Sequence, residues 1–151
     1  MVSAPLVVVL DANVLFPFTL RDTLLRAAAA GLYQVRWTAV TGYEPLIATM
    51  KNDEKDRHVV AAAVESGAQV VTTANLKDFT PLPEGVEAQS PDEFLCNLFD
   101  ADPDIFVDML REQAGDLVKP PMSFEELLER LARVVPDLVV LVREHVAICS
   151  P

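Results

Sequence analysis

The sequence predicts an α/β fold built around a parallel sheet. Three observations predict it: short, β-branched apolar runs at 6–10 and 68–73, helical apolar periodicity between them, and strands shorter than the helices that separate them. The chain has 151 residues, 51% of them apolar, which is the size of one domain with a substantial core.

Residues 6–10 (LVVVL) form a continuous apolar run that stops at Asp11, as expected of a strand buried on both faces. Residues 19–30 place Leu20, Leu24, Leu25 and Ala28 at helical spacing, and Gly31 closes that helix. Residues 33–37 (YQVRW) alternate like a second strand. A helix over 55–66 carries Val59, Val60, Ala63 and Val64 on one stripe, with Asp53 as N-cap and Gly67 as its stop. Residues 68–73 (AQVVTT) are the third strand. A loop with Pro81, Pro83 and Gly85 leads to a short strand at 86–88 and a helix from Pro91 that carries Phe94, Leu95 and Leu98. The texture then changes. Amphipathic helices are expected over 102–117, 123–134 and 136–147, and Ser123 with Glu126 makes a capping box.

Composition narrows the function classes. Acidic residues outnumber basic ones by 23 to 12, a formal net charge of −11, so loose charge-driven binding to nucleic acid is disfavoured unless a cation reverses the local sign. Two cysteines, Cys96 and Cys149, match no zinc spacing and are expected as buried or free thiols in a reducing cytoplasm. No apolar run reaches the roughly 18 residues of a membrane helix. The first residues lack a basic segment, and Asp11 interrupts the apolar run, so a signal peptide is not expected.

Ligands of open α/β sheets gather outside the carboxyl ends of the strands. Three polar clusters fall near that edge. Asp11 follows the first strand, Asn75 and Asp78 follow the third, and Asp56 lies in the first turn of the helix that feeds it. Each has a plain structural reading as a turn former, a loop polar group or a helix-dipole partner. His58 and Arg57 read as surface or capping groups, and Glu125, Glu126 and Glu129 as a solvated helix face. If the loop before the 55–66 helix crosses at this same edge, the carboxylates converge and like charges that close require a cation, for which oxygen-only donors suit Mg²⁺ or Mn²⁺.

The stretches Leu10-Asp11-Ala12-Asn13-Val14-Leu15, Asn52-Asp53-Glu54-Lys55-Asp56-Arg57-His58 and Thr73-Ala74-Asn75-Leu76-Lys77-Asp78-Phe79 occur in that order. In this the chain resembles the PIN domain family, closest to the VapC-like ribonuclease toxins of bacterial toxin–antitoxin pairs. The resemblance spans residues 7–98. It implies a three-layer fold with a central, mainly parallel sheet flanked by helices over 1–100; the amphipathic helices beyond it read as a helical C-terminal extension over 101–151 packed on that core. It also implies a metal-dependent endoribonuclease in which Asp11, Asp56 and Asp78 hold Mg²⁺ or Mn²⁺, Asn75 assists, and Asn13 and Thr73 shape the site. A cytoplasmic homodimer with an RNA substrate and a protein antitoxin is implied by the same analogy.

One departure stands out. The family carries a further acid, usually Glu, on a helix within a helical pair after the second strand. Here residues 35–40 run directly into 41–45, which leaves no room for two helices of about ten residues each. Glu44 is the only acid nearby and stands before Pro45, so it does not match. Either a stretch near 38–42 is missing from the sequence or the gene has lost it. The first is favoured, because losing two core helices would expose an apolar sheet face. Two rival functions follow. One is a non-catalytic PIN module that binds RNA or a protein. The other is an aspartate-based phosphatase or receiver domain, disfavoured because Asn13 stands where such phosphatases carry a second Asp.

Overall fold

The computed structural model describes residues 6–11, 14, 17–36, 67–74, 76, 82, 85–116 and 121–149. The chain is α/β, and among the described residues it has a parallel four-stranded sheet and five helices. Its elements are β1 (Val7–Leu10), α1 (Phe18–Ala29), β2 (Gln34–Arg36), β3 (Val70–Thr72), β4 (Glu87–Gln89), α2 (Pro91–Ala101), α3 (Pro103–Asp116), α4 (Phe124–Ala132) and α5 (Pro136–Cys149). The helix expected over 55–66 and the short stretch near 38–42 lie outside the described residues. By contacts the chain divides into two compact units, Met1–Leu15 with Tyr33–Ser90, and Phe16–Leu32 with Pro91–Pro151.

The first unit holds the sheet, in the order β2-β1-β3-β4. Val8, Val9 and Leu10 are consecutive, point to alternate faces and are all buried, so β1 is closed to solvent on both sides. That is why its sequence is continuously apolar. The register sets Val9 between Arg36 and Val71 and carries Leu10 to Thr72. On one face Val9, Ala68 and Val71 form a cluster joined by Val7, Leu82, Val86 and Ala88.

The second unit is helical. The helix α1 ends in a Schellman motif, in which the Leu32 N–H donates to the Ala27 carbonyl at 3.1 Å and the Gly31 N–H to that of Ala28 at 3.0 Å. Gly31 takes φ +84°, which a side chain would disfavour, and this is why the expected stop falls there. Between α1 and α3, Thr23 and Gln113 are fully buried yet satisfied. The Thr23 hydroxyl donates to Gln113 Oε1 at 2.8 Å, and Gln113 Nε2 donates to the Thr19 carbonyl at 3.3 Å. Arg26 of α1 pairs with Asp22 and with Asp116 of α3, at 3.0 and 2.8 Å. The capping box at Ser123 forms in part: its Oγ accepts the Glu126 N–H at 3.1 Å and donates to the Glu126 carboxylate at 3.3 Å.

The helix α5 starts differently. Its flanking residue is Val135, fully buried and without a polar side chain, and Pro136 opens the helix. The missing cap comes from 45 residues upstream. Asp92, in the first turn of α2, accepts the Asp137 N–H at 3.0 Å and the Leu138 N–H at 2.8 Å, one on each carboxylate oxygen. It therefore does for α5 what a local Asp or Ser does for an ordinary helix. Consistently, α2 packs most extensively on α5. Asp92→Ala is expected to destabilise the protein by about 1–2 kcal/mol, the usual cost of losing a cap, as read from urea unfolding midpoints.

The same carboxylate lies 3.7 Å from the Cys96 sulfur, one helical turn on. Burial, and then the charge of Asp92, push the Cys96 thiol from its ordinary value of 9.0 up to about 12. The unfolded chain therefore releases this proton first as the pH rises, and the native state holds it longer. Stability from this group is complete below about pH 9 and falls between about pH 9 and pH 12. Burial raises the Tyr33 hydroxyl in the same direction. Cys96→Ala should flatten the alkaline decline in unfolding midpoint without removing it. In a Cys149→Ser background, Cys96 should react with a thiol reagent far more slowly than free cysteine.

Candidate active site

The strand order determines where a site can form. From β1 the chain passes to β2 on one side, then crosses back to β3 on the other, so the winding reverses between β1 and β3. In open parallel sheets such a reversal leaves a crevice at the carboxyl ends of the two strands. The residues that follow those ends are Asp11 and Thr73.

They are joined directly. The Thr73 hydroxyl donates to Asp11 Oδ2 at 2.9 Å, with Thr73 fully buried and Asp11 8% exposed. The backbone holds both in place. The Asp11 N–H donates to the Thr72 carbonyl at 3.0 Å, extending the β1–β3 ladder by one residue, and the Thr73 N–H donates to the Gln89 carbonyl at 3.0 Å. The Asp11 carbonyl accepts the Val14 N–H at 3.0 Å. A nearly buried carboxyl is thereby fixed by a hydroxyl on one oxygen and by a rigid strand behind it.

Of the residues singled out in the sequence, the structure brings together Asp11 and Thr73. Asn13, Asp56, Asn75 and Asp78 lie outside the described residues, as do Glu44, Arg57 and His58. Among the described residues no group of three or more His, Cys, Asp or Glu is placed to hold a metal ion. The donors that are placed, a carboxyl and a hydroxyl, are hard oxygen ligands and are chemically compatible with Mg²⁺ or Mn²⁺.

Thr72 was not singled out. It is fully buried, and its hydroxyl is a buried side-chain oxygen with no hydrogen-bond partner among the described residues. Adjacent strand residues face opposite ways, so of the Thr72-Thr73 pair only Thr73 turns toward Asp11. The signal lay in the register: Leu10 opposite Thr72 places Asp11 opposite Thr73.

A parallel sheet with an aspartate at the carboxyl end of its central strand, beside the reversal point, is the arrangement of a PIN-like protein. The comparisons narrow the class. Residues 91–144 match the family model described as the VapC50 C-terminal domain. A Mycobacterium tuberculosis protein named as a candidate ribonuclease, VapC50, is 35% identical over 113 residues, covering 73% of this chain and 67% of that protein. The chain belongs to the VapC family. No solved structure gives a significant match. Among the described residues no helix is long and apolar enough to cross a membrane.

Thr73→Val keeps the shape but leaves Asp11 without its hydroxyl donor inside the protein. The expected cost is about 1–3 kcal/mol in unfolding free energy, with Thr73→Ser recovering most of it. Urea unfolding midpoints of wild type and the two variants check this.

Proposed function

We propose that this protein is a metal-dependent endoribonuclease of PIN type, the toxin of a toxin–antitoxin pair, which hydrolyses RNA phosphodiester bonds. The observation that carries the reading is the Asp11–Thr73 pair at the reversal point of the sheet, in a chain 35% identical to a protein named as a candidate ribonuclease. Asp11, Asp56 and Asp78 would hold Mg²⁺ or Mn²⁺, with Asn75 adding an uncharged oxygen and Asn13 shaping the site with Thr73. A bound divalent cation supplies Lewis acidity toward a phosphate oxygen and lowers the pKa of a bound water. The protein's own part is positional: Thr73 fixes the Asp11 rotamer, and the β1–β3 ladder fixes its depth. A cation there also makes a locally favourable seat for phosphate on a chain whose net charge is −11.

The chemistry belongs to the 1–100 part of the chain, and the 101–151 part adds to it. By analogy with the family, the protein works in the cytoplasm as a homodimer restrained by a protein antitoxin. A second reading, a PIN module that binds RNA or protein without cutting, is favoured by one observation: Glu44 does not match the family's further acid.

The experiment is RNA cleavage by the purified full chain with Mn²⁺ or Mg²⁺, paired with thermal unfolding at increasing metal. Wild type is expected to cleave and to gain melting temperature with metal, and Asp11→Asn to do neither. Equal cleavage by both proteins would sink the catalytic assignment. A wild type that neither cleaves nor gains melting temperature with metal would favour the non-catalytic reading instead.

A further inference from the structure

The second unit contains a groove that the ribonuclease reading leaves unused. It runs between α1 and α3 and is lined by Arg26, Ala29, Ala30, Ile105, Met109 and the acids Asp108 and Glu112. Met109 is buried in its floor, and Ile105 is 43% exposed beside it.

The charges along it are uneven. Asp104, Asp108, Glu112 and Asp116 recur every four residues on α3, so they stand in one row and repel one another. The ends of the row are answered. Asp104 meets His145 at 3.0 Å and Asp116 meets Arg26 at 2.8 Å. The middle pair, Asp108 and Glu112, is exposed and has no hydrogen-bond or ion-pair partner among the described residues. Arg26, the one cation lining the groove, is already shared between Asp22 and Asp116.

We propose that this groove receives a basic amphipathic helix of a protein partner. The two unanswered carboxylates are one helical turn apart, which is the spacing of Lys or Arg at i and i+4 on a helix laid alongside. Ala29 and Ala30 let that helix approach closely, and Ile105 and Met109 meet its apolar side. The sign of the charge selects this occupant. RNA phosphates and anionic lipid headgroups meet repulsion from Asp108 and Glu112, and a second copy of a chain with net charge −11 meets it as well. The proposal does not rest on the ribonuclease reading, since it involves neither Asp11 nor the sheet.

The probe is a synthetic helical peptide with Lys at i and i+4 on one side and Ala and Leu on the other, titrated into the full-length protein. Its control is the same composition in scrambled order. The patterned peptide should shift the Ile105 and Met109 methyl signals, and the scrambled one should not. Fluorescence anisotropy should show about tenfold weaker binding to the double variant Asp108→Asn/Glu112→Gln, the loss of two partly exposed ion pairs. Ala29→Trp, which fills the groove from an exposed position, should weaken binding comparably. Methyl shifts elsewhere, or equal shifts with both peptides, would overturn the proposal. So would undiminished affinity in the double variant. The methyl titration uses unmodified protein, so that arm stands even if a variant misfolds.

Discussion

The position of β1 between two parallel neighbours governs the candidate site. A strand hydrogen-bonded on both edges and buried on both faces has no freedom to shift along its axis, because a slip of one residue would turn Val8, Val9 and Leu10 each to the wrong face. That rigidity reaches Asp11 through its N–H bond to the Thr72 carbonyl. A charged side chain is held at low exposure because the backbone leaves it nowhere else to go. The hydroxyl of Thr73 then provides the polar partner that burial demands.

In the helical unit the polar groups inside are answered by residues far away in sequence. Thr23 and Gln113 satisfy each other from helices 90 residues apart, and Arg26 reaches both its own turn and Asp116. Buried hydrogen bonds of this kind discriminate among helix pairings that apolar contacts alone would tolerate, since a mispaired helix leaves Gln113 unsatisfied. Aromatic contacts add direction: Phe99 stands edge-on to both Phe106 and His145, with centroids 5.9 and 5.6 Å away.

Local signals in the sequence were legible wherever the physics was local. The apolar run ending at Asp11, the glycine stop at Gly31 and the Ser123 cap are each written within a few neighbouring residues, and each appears in the structure within a residue or two of its expected place. Asp11 was legible because it follows a strand, and strand ends in parallel sheets gather at one edge; Thr73, read as the last residue of its strand, was singled out only through the motif resemblance. What the sequence hid was long-range. Nothing near Pro136 announces that Asp92 caps its helix. Nothing in the string Thr72-Thr73 says which hydroxyl finds a partner until the register is known. The row of acids on α3 carried no local signal, because its significance depends on which of them Arg26 and His145 answer.

The cap supplied by Asp92 makes the beginning of one helix a property of another. A peptide cut out as 136–149 would carry a proline and a buried valine at its start but no acceptor for its first amides, so its amino end should fray in isolation. During folding, the first turn of α2 has to exist before the first turn of α5 can be fixed. The two should therefore open together in native-state hydrogen exchange, as one cooperative unit rather than two. Over evolutionary time, position 92 and the turn at 136–138 are constrained as a pair: a polar residue at 135 that capped the helix locally would release Asp92 to vary.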